Sequence, residues 1–216
     1  MPDMKYEEEQ QKLDAQEGIY PSLIAGCDEA GRGPLAGPLV AAAVILPEHP
    51  DLPEITDSKK INKKHHRAYA EHVLREAKAV GIGVASVEYI DRFGIGMANR
   101  YAIEQAVANL PVKPTRLLID GSNQQRIHTK IPQTQIVKGD QKCLSISAAS
   151  VVAKSIHDAL MEEYAREYPQ YGWLKNAGYG TPDHLAAIEA YGICEYHRKC
   201  FKPIKEYLKR KEHQVA

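Results

Sequence analysis

The sequence has no net charge, no apolar run of membrane-spanning length and only four cysteines in its 216 residues. Each lack excludes something. A bilayer crossing needs about 20 consecutive apolar residues, and none is found. The acidic opening, with Glu7, Glu8 and Glu9, does not read as a secretory leader, so the protein is expected in the cytoplasm. Cys194, His197 and Cys200 lie close together, but no second Cys/His pair stands at finger spacing to complete a zinc site, and the thiols are read as reduced. Neutrality argues mildly against nucleic-acid binding until the charges are mapped. Residues 1–56 hold 11 acidic and 3 basic side chains, whereas 57–216 hold 17 and 25. The neutral total conceals a basic body able to face a phosphate backbone, with the acids left for a metal site or for the lead-in.

A hydrophobic content of 44% with 26% charged residues is that of a soluble globular protein with a sizeable core. Residues 1–21, rich in Glu, Gln and Lys, form an acidic N-terminal extension, a solvated arm or marginal helix, ahead of one domain over 22–216. That domain opens on Leu23-Ile24-Ala25-Gly26-Cys27-Asp28-Glu29, an apolar strand running into two adjacent carboxylates. Ionised carboxylates at the end of a buried strand need a compensating partner, and a divalent cation is the simplest. Alternation along the strand points Asp28 and Glu29 to opposite faces, so sharing one ion requires that the strand end here or that Glu29 use its carbonyl. Gly31 and Gly33 then let backbone N–H groups approach a sugar or phosphate, with Arg32 exposed between them. Pro34 and Pro38 lead into a second apolar run over 39–46 instead of a helix, which sets aside the dinucleotide-binding and phosphate-loop readings.

The theme of a strand closing on an acid and a glycine returns at Asp120-Gly121, after the apolar run 116–119, and at Gly139-Asp140, after the run 131–137. Carboxylates at the ends of neighbouring strands in an open sheet meet in one crevice, making Asp120 a third candidate ligand. Between these strands the pattern predicts a helix over 63–79 with Tyr69, Val73 and Leu74 on its apolar side, a strand over 81–87, and a helix over 90–110 interrupted at Gly94 and Gly96, on which Asn99 could face a substrate. A helix over 145–168 places Ser147, Ser150 and Lys154 on one face, suited to phosphate oxygens, with Asp158 as an ion-pair partner one turn beyond Lys154. Lys59 and Lys60 belong to a lysine run that on pattern alone is a solvated face. Tyr168, Tyr171, Trp173 and Tyr179 are equally core plugs or stacking platforms. Helices over 182–191 and 201–211 close the chain; His184 reads as a surface histidine, and the basic terminal helix fits either backbone binding or a solvated tail.

Asp28-Glu29-Ala30-Gly31-Arg32-Gly33-Pro34-Leu35-Ala36-Gly37-Pro38 resembles the signature of ribonuclease HII. The likeness continues through Asp57-Ser58-Lys59-Lys60, Ile119-Asp120-Gly121, Lys138-Gly139-Asp140, the run from Ser147 to Lys154, and Gly178-Tyr179-Gly180-Thr181. The sister family, ribonuclease HIII, carries an extra N-terminal domain and a different glycine loop, which this sequence lacks. The resemblance implies an α/β, ribonuclease H-like fold: a mixed five-stranded sheet flanked by helices, with extra C-terminal helices beside the substrate groove. It implies that Asp140 joins Asp28, Glu29 and Asp120 in holding two Mg²⁺ or Mn²⁺ ions. Gly31, Arg32, Gly33 and Tyr179 would sense the 2′-hydroxyl of a ribonucleotide, and Lys59 and Lys60 would contact backbone phosphates, as would Ser147, Ser150 and Lys154. The implied activity is cleavage of the RNA strand of RNA–DNA hybrids, and 5′ of single ribonucleotides in duplex DNA, by a monomer. Two departures stand out: His157 where the family usually has Arg, and Asn176-Ala177 where it usually has His-Lys. The rival readings are a non-catalytic hybrid-binding module and a metal-dependent DNA nuclease on a related fold.

Overall fold

The computed structural model describes residues 2–52 and 63–215. At its centre lies a mixed sheet of β1 (Ile24–Ala30), β2 (Leu39–Ile45), β3 (Ala79–Ala85), β4 (Arg116–Asp120) and β5 (Gln133–Ile136), in the order β3-β2-β1-β4-β5. The first three strands are antiparallel neighbours, and β4 and β5 run parallel to β1. Strand β3 begins two residues before the expected 81–87, because Ala79, Gly81, Gly83 and Ala85 are the residues that alternate inward.

Both faces of the sheet are covered, as its apolar central strands require. Helix α3 (Val87–Ala108) packs Ala98, Ala102, Ile103 and Ala106 onto Ala25, Cys27, Ala41, Leu117 and Ile119. Its expected interruption is a single residue, Gly94, at φ 79°. Helix α4 (Leu144–Glu167) lays Ala148, Ala149, Val152 and Ala153 over Ala30, Val40, Ala42 and Val44 on the opposite face. The small side chains let this helix approach closely: a Cβ at Gly26 would collide with the Ser145 backbone. Outside α4 lies α2 (Lys63–Glu76), with Ala70 and Val73 buried. Leu74, expected on its apolar side, is 54% exposed, because it sits about 100° around the helix from Val73. Beyond α4, the short α5 (Trp173–Asn176), α6 (Pro182–Tyr191) and α7 (Lys202–Val215) gather a separate core around Met161, Tyr171, Trp173, Ile188 and Ile204.

Of the solvated arm or marginal helix expected of residues 1–21, the structure forms the helix, but one docked on the domain. Helix α1 (Lys5–Gln16) has almost no apolar stripe, yet it is tied to the domain through buried acids. Asp14, fully buried, accepts hydrogen bonds from Ser22 Oγ at 2.7 Å, Thr115 Oγ1 at 2.6 Å and Arg116 Nε at 2.6 Å. Glu7 Oε1 accepts from the Ser145 N–H at 2.7 Å, satisfying a donor that the first turn of α4 leaves free. Upstream, the Asp3 carbonyl accepts from the Leu144 N–H at 2.9 Å. Polar contacts between residues more than 100 positions apart cannot be read from local periodicity, which is why composition suggested an arm.

Burial raises the Asp14 pKa, but the hydrogen bonds from Thr115, Ser22 and Arg116 outweigh it and hold the carboxyl below its ordinary value. The stabilisation is therefore complete above the unfolded-state pKa and is lost as pH falls through the lower folded value. Replacing Asp14→Asn strips Arg116 of a buried counter-charge and is expected to cost about 3 kcal/mol. Urea melts of the variant and parent at pH 7 measure this directly, and an unchanged midpoint would show that the buried Asp14 cluster contributes nothing to the domain.

Candidate active site

Strand β1 does not end at the acids, one of the two ways in which they could share an ion: it runs through Asp28 and Glu29 to Ala30, still paired with β2. Instead its other edge opens. Pairing with β4 stops at Cys27 opposite Ile119, so the next residue on each strand, Asp28 and Asp120, lies at a fork where no strand separates them. Alternation holds, with Asp28 over α4, where Ser150 hydrogen-bonds it, and Glu29 over α3, beside the buried Asn99. Asp120, at the fork, is within electrostatic reach of both.

Each carboxylate is held by the loop that carries it or faces it. Asp28 Oδ1 accepts from the Glu29 N–H at 2.7 Å. Glu29 Oε1 is paired with Arg32 Nη1 at 3.2 Å. Asp120 Oδ1 accepts from the Gly139 N–H at 2.6 Å, an arrangement made by the turn at Lys138, whose φ of 57° is left-handed. Asp140 follows in the same 3₁₀ turn, Gly139–Gln141, close enough to raise the Asp120 pKa. Burial, then Glu29, then Asp120 push the Asp28 pKa well above the ordinary carboxylate value. Burial raises Glu29 and Asp120 too, against the opposing pull of Arg32 on the first and of the Gly139 N–H on the second.

A buried acid, Asp28, whose pKa is raised by two partly buried ones, Glu29 and Asp120, is suited to a cation. Glu29 Oε2 and Asn99 Oδ1 are buried without a hydrogen-bond partner. Among the described residues, no three His, Cys, Asp or Glu side chains close around a point by themselves. The oxygen-only donor set matches ions that keep water and substrate phosphate among their ligands and take few carboxylates from the protein. The residues therefore fit a divalent metal of the Mg²⁺ or Mn²⁺ kind.

Beside the acids opens a cavity of about 740 Å³, whose walls include Gly31, Arg32, Gly33, Ser150, Lys154 and Tyr179. Tyr179, 47% exposed, lies against Gly33: a Cβ there would come within 2.9 Å of Tyr179 Cε1. Gly31, at φ 91°, leaves room beneath it for His157, which is 1% exposed with neither ring nitrogen hydrogen-bonded. Lys154 Nζ reaches Asp158 Oδ1 at 2.6 Å, the expected ion pair, with its side chain 36% exposed on the cavity wall. Lys175, one residue before Asn176-Ala177, supplies a basic side chain on the same wall. Asn176 shapes the turn that presents Tyr179, accepting from the Gly178 N–H at 2.9 Å and donating to the Tyr171 carbonyl at 2.8 Å. Ser147 is corrected: at 2% exposure it is enclosed beneath α4 and does not reach the wall. Lys59 and Lys60 lie outside the described residues.

Two residues around this cavity were misjudged from sequence. Arg198, counted only as part of a basic tail, is fully buried and donates to carbonyls of the glycine loop. His184, read as a surface histidine, is fully buried between Trp173 and His197. The adjacency of His197 and Arg198 to the only Trp-bearing segment of the fold was too faint a signal to find either.

A family model described as ribonuclease HII matches residues 25–204. The chain belongs to the ribonuclease HII family. It shares that family's reaction, metal-dependent cleavage of the RNA of RNA–DNA hybrids. It is 50% identical over 190 residues to ribonuclease HII of Bacillus cytotoxicus, covering 88% of this chain and 72% of that one. The Bacillus cereus (strain Q1) ribonuclease HII is 48% identical over 189 residues, with 88% and 72% covered. Among solved structures, ribonuclease H2 from Pyrococcus horikoshii superposes with a TM-score of 0.77 at 21% identity, covering 88% of this chain and 99% of that one. Ribonuclease HIII of the Bst type, solved in complex with Mn²⁺, gives a TM-score of 0.65 at 20% identity, covering 89% and 71%. These distant likenesses establish the shared ribonuclease H-like fold.

Repulsion among the acids costs the metal-free protein stability, and a ligand that binds only the folded state restores it. Protons act in the same direction: carboxyls whose pKa is raised by folding stabilise the fold as pH drops toward their raised values. In EDTA, Asp120→Asn is expected to melt above the parent, and Mn²⁺ to raise the parent more than the variant. Equal melting temperatures in all four samples would mean that these carboxylates do not act as one cluster.

Proposed function

We propose that the protein, acting as a cytoplasmic monomer, cuts on the 5′ side of ribonucleotides, both along the RNA strand of hybrids and at single ribonucleotides embedded in duplex DNA. The products carry 5′-phosphate and 3′-hydroxyl ends. The observation that supports this most is the fork at which Asp28, Glu29 and Asp120 meet, opening directly onto the wall formed by the glycine loop and Tyr179. On this reading Asp28, Glu29, Asp120 and Asp140 hold two divalent ions, Mg²⁺ or Mn²⁺. When bound, such a pair supplies an ionised water as nucleophile and offsets the charge that builds on the departing 3′-oxygen.

The protein's own groups orient the substrate. The absent side chains of Gly31 and Gly33 let His157 and the Tyr179 ring pack directly against the loop, so that its backbone and the half-exposed Tyr179 form one continuous wall against which a ribose 2′-hydroxyl can be read. A deoxyribose leaves that hydrogen bond unmade, which is where discrimination arises. Ser150, Lys154 and Lys175 stand on the wall as contacts for phosphate oxygens, with Lys59 and Lys60 in the same role. Arg32 neutralises Glu29 and remains half-exposed at the rim. The pinning of Asp120 by the Gly139 N–H keeps its carboxylate from rotating away from Asp28.

The test uses three duplexes of one sequence: all DNA, one ribonucleotide, and a full RNA strand. Cleavage of the second and third with Mn²⁺, each 5′ of a ribonucleotide, is expected, and none of the first. Asp120→Asn should lower kcat by at least about 10³-fold while hybrid binding stays within a few-fold, since the group acts on the reacting phosphate rather than on the duplex. Binding of hybrid by the parent without any cleavage would favour the non-catalytic alternative, and cutting of the all-DNA duplex the DNA nuclease.

A further inference from the structure

The sugar-reading wall is built from two pieces of chain about 145 residues apart, and a third segment grips both. Arg198 is fully buried. Among the described residues its guanidinium forms no ion pair and instead donates to four carbonyls of the glycine loop: Gly31 at 2.6 Å, Arg32 at 3.2 Å, Gly37 at 2.8 Å and Pro38 at 2.9 Å. The neighbouring backbone adds the Arg198 N–H to the Leu35 carbonyl at 2.8 Å and the Gly37 N–H to the Tyr196 carbonyl at 2.8 Å. Burial lowers the Arg198 pKa to about 10, which leaves it charged at neutral pH.

The preceding residue reaches the other piece. His197 Nδ1 accepts from the Cys194 N–H at 3.0 Å, which puts the His197 proton on Nε2, 3.1 Å from His184 Nε2. That same His184 nitrogen accepts from Trp173 Nε1 at 3.1 Å, so the His184 proton sits on Nδ1 and is donated to the Tyr179 carbonyl at 2.9 Å. Every proton in the chain from Cys194 to Tyr179 thus has one assignment. The single lone pair of His184 Nε2 is shared by the Trp173 and His197 N–H groups, which ties both segments to the imidazole that holds the Tyr179 carbonyl.

We propose that the consecutive pair His197-Arg198 sets how the Gly31–Gly33 loop and Tyr179 are placed against each other, and thereby how sharply a ribose 2′-hydroxyl is distinguished. Both are positioning residues: Arg198 acts through the loop carbonyls and His197 through His184, and neither touches the sugar. A planar fork addressing four carbonyls fixes the loop in a way that an ammonium, a single point of charge, does not. The inference rests on the proposed reading of the glycine loop and Tyr179 as the sugar sensor.

The experiment compares kcat and KM, with Mn²⁺, on a duplex carrying one ribonucleotide and on the same duplex with a 2′-fluoro-2′-deoxy sugar at that position. The parent should prefer the hydroxyl. In Arg198→Lys that preference should shrink about tenfold or more, chiefly through kcat, as misplacement by a fraction of an ångström does. His184→Leu should act alike, and His184→Asn, which restores an N–H near the Tyr179 carbonyl, should recover most of the preference. The His184 pair keeps the test decisive if Arg198→Lys fails to fold. Parallel loss on both sugars, or an unchanged preference in folded Arg198→Lys or His184→Leu, overturns the proposal while leaving the sensor intact. A parent indifferent to the hydroxyl removes the sensor reading and the proposal together.

Discussion

Three carboxylates that repel one another are kept within reach at the fork where β1 and β4 cease to pair, and much of the molecule is arranged around bearing that repulsion. The cost of crowding negative charge in a partly dry site is several-fold larger than in water. What offsets it is supplied piecemeal: the Ser150 hydroxyl from α4, Arg32 from the glycine loop, and the N–H groups of the turn after β5. Each of these comes from an element that also lines the cavity or carries another acid, so the groups that steady the acids and the groups that meet the substrate cannot be moved independently.

The sheet with α3 and α4 holds the acids, but it does not by itself make the wall opposite them. That wall belongs to the second core, where Tyr171, Trp173 and Met161 pack between the end of α4 and the C-terminal helices. Leu35 and Ala36, from the loop that follows Gly33, are buried in this second core rather than in the first. The glycine loop is thus rooted in both bodies, hydrogen-bonded at the Leu35 N–H to the Gly178 carbonyl at 2.7 Å. Selectivity and chemistry are attached to different hydrophobic cores and joined by one loop.

What could be read from sequence is what local pattern encodes. The apolar runs before Asp28, Asp120 and Asp140 located three strands, although only β4 ends at its acid, and alternation correctly sent Asp28 and Glu29 to opposite faces. It failed at the next step, because the fork depends on where β1 stops pairing with a strand about 90 residues away. The same limit explains α1, Ser147 and His184: each is buried through contacts that no window of neighbouring residues contains. Arg198 was hidden for a different reason. A cation surrounded by Lys199, Lys202 and Lys205 reads as one of a solvated set, whereas its partners are carbonyls, which carry no sequence signature.

The docking of α1 orders events during synthesis. Its Asp14 finds Thr115 and Arg116 only 101 and 102 residues later, and Glu7 finds the Ser145 N–H 138 residues later. The partners of Asp14 lie about half-way along the sequence and that of Glu7 about two thirds of the way, so α1 cannot complete its docking until the start of α4 has been made. Non-local closure of this kind comes late, so the opening helix is a latch that falls into place once the start of α4 exists.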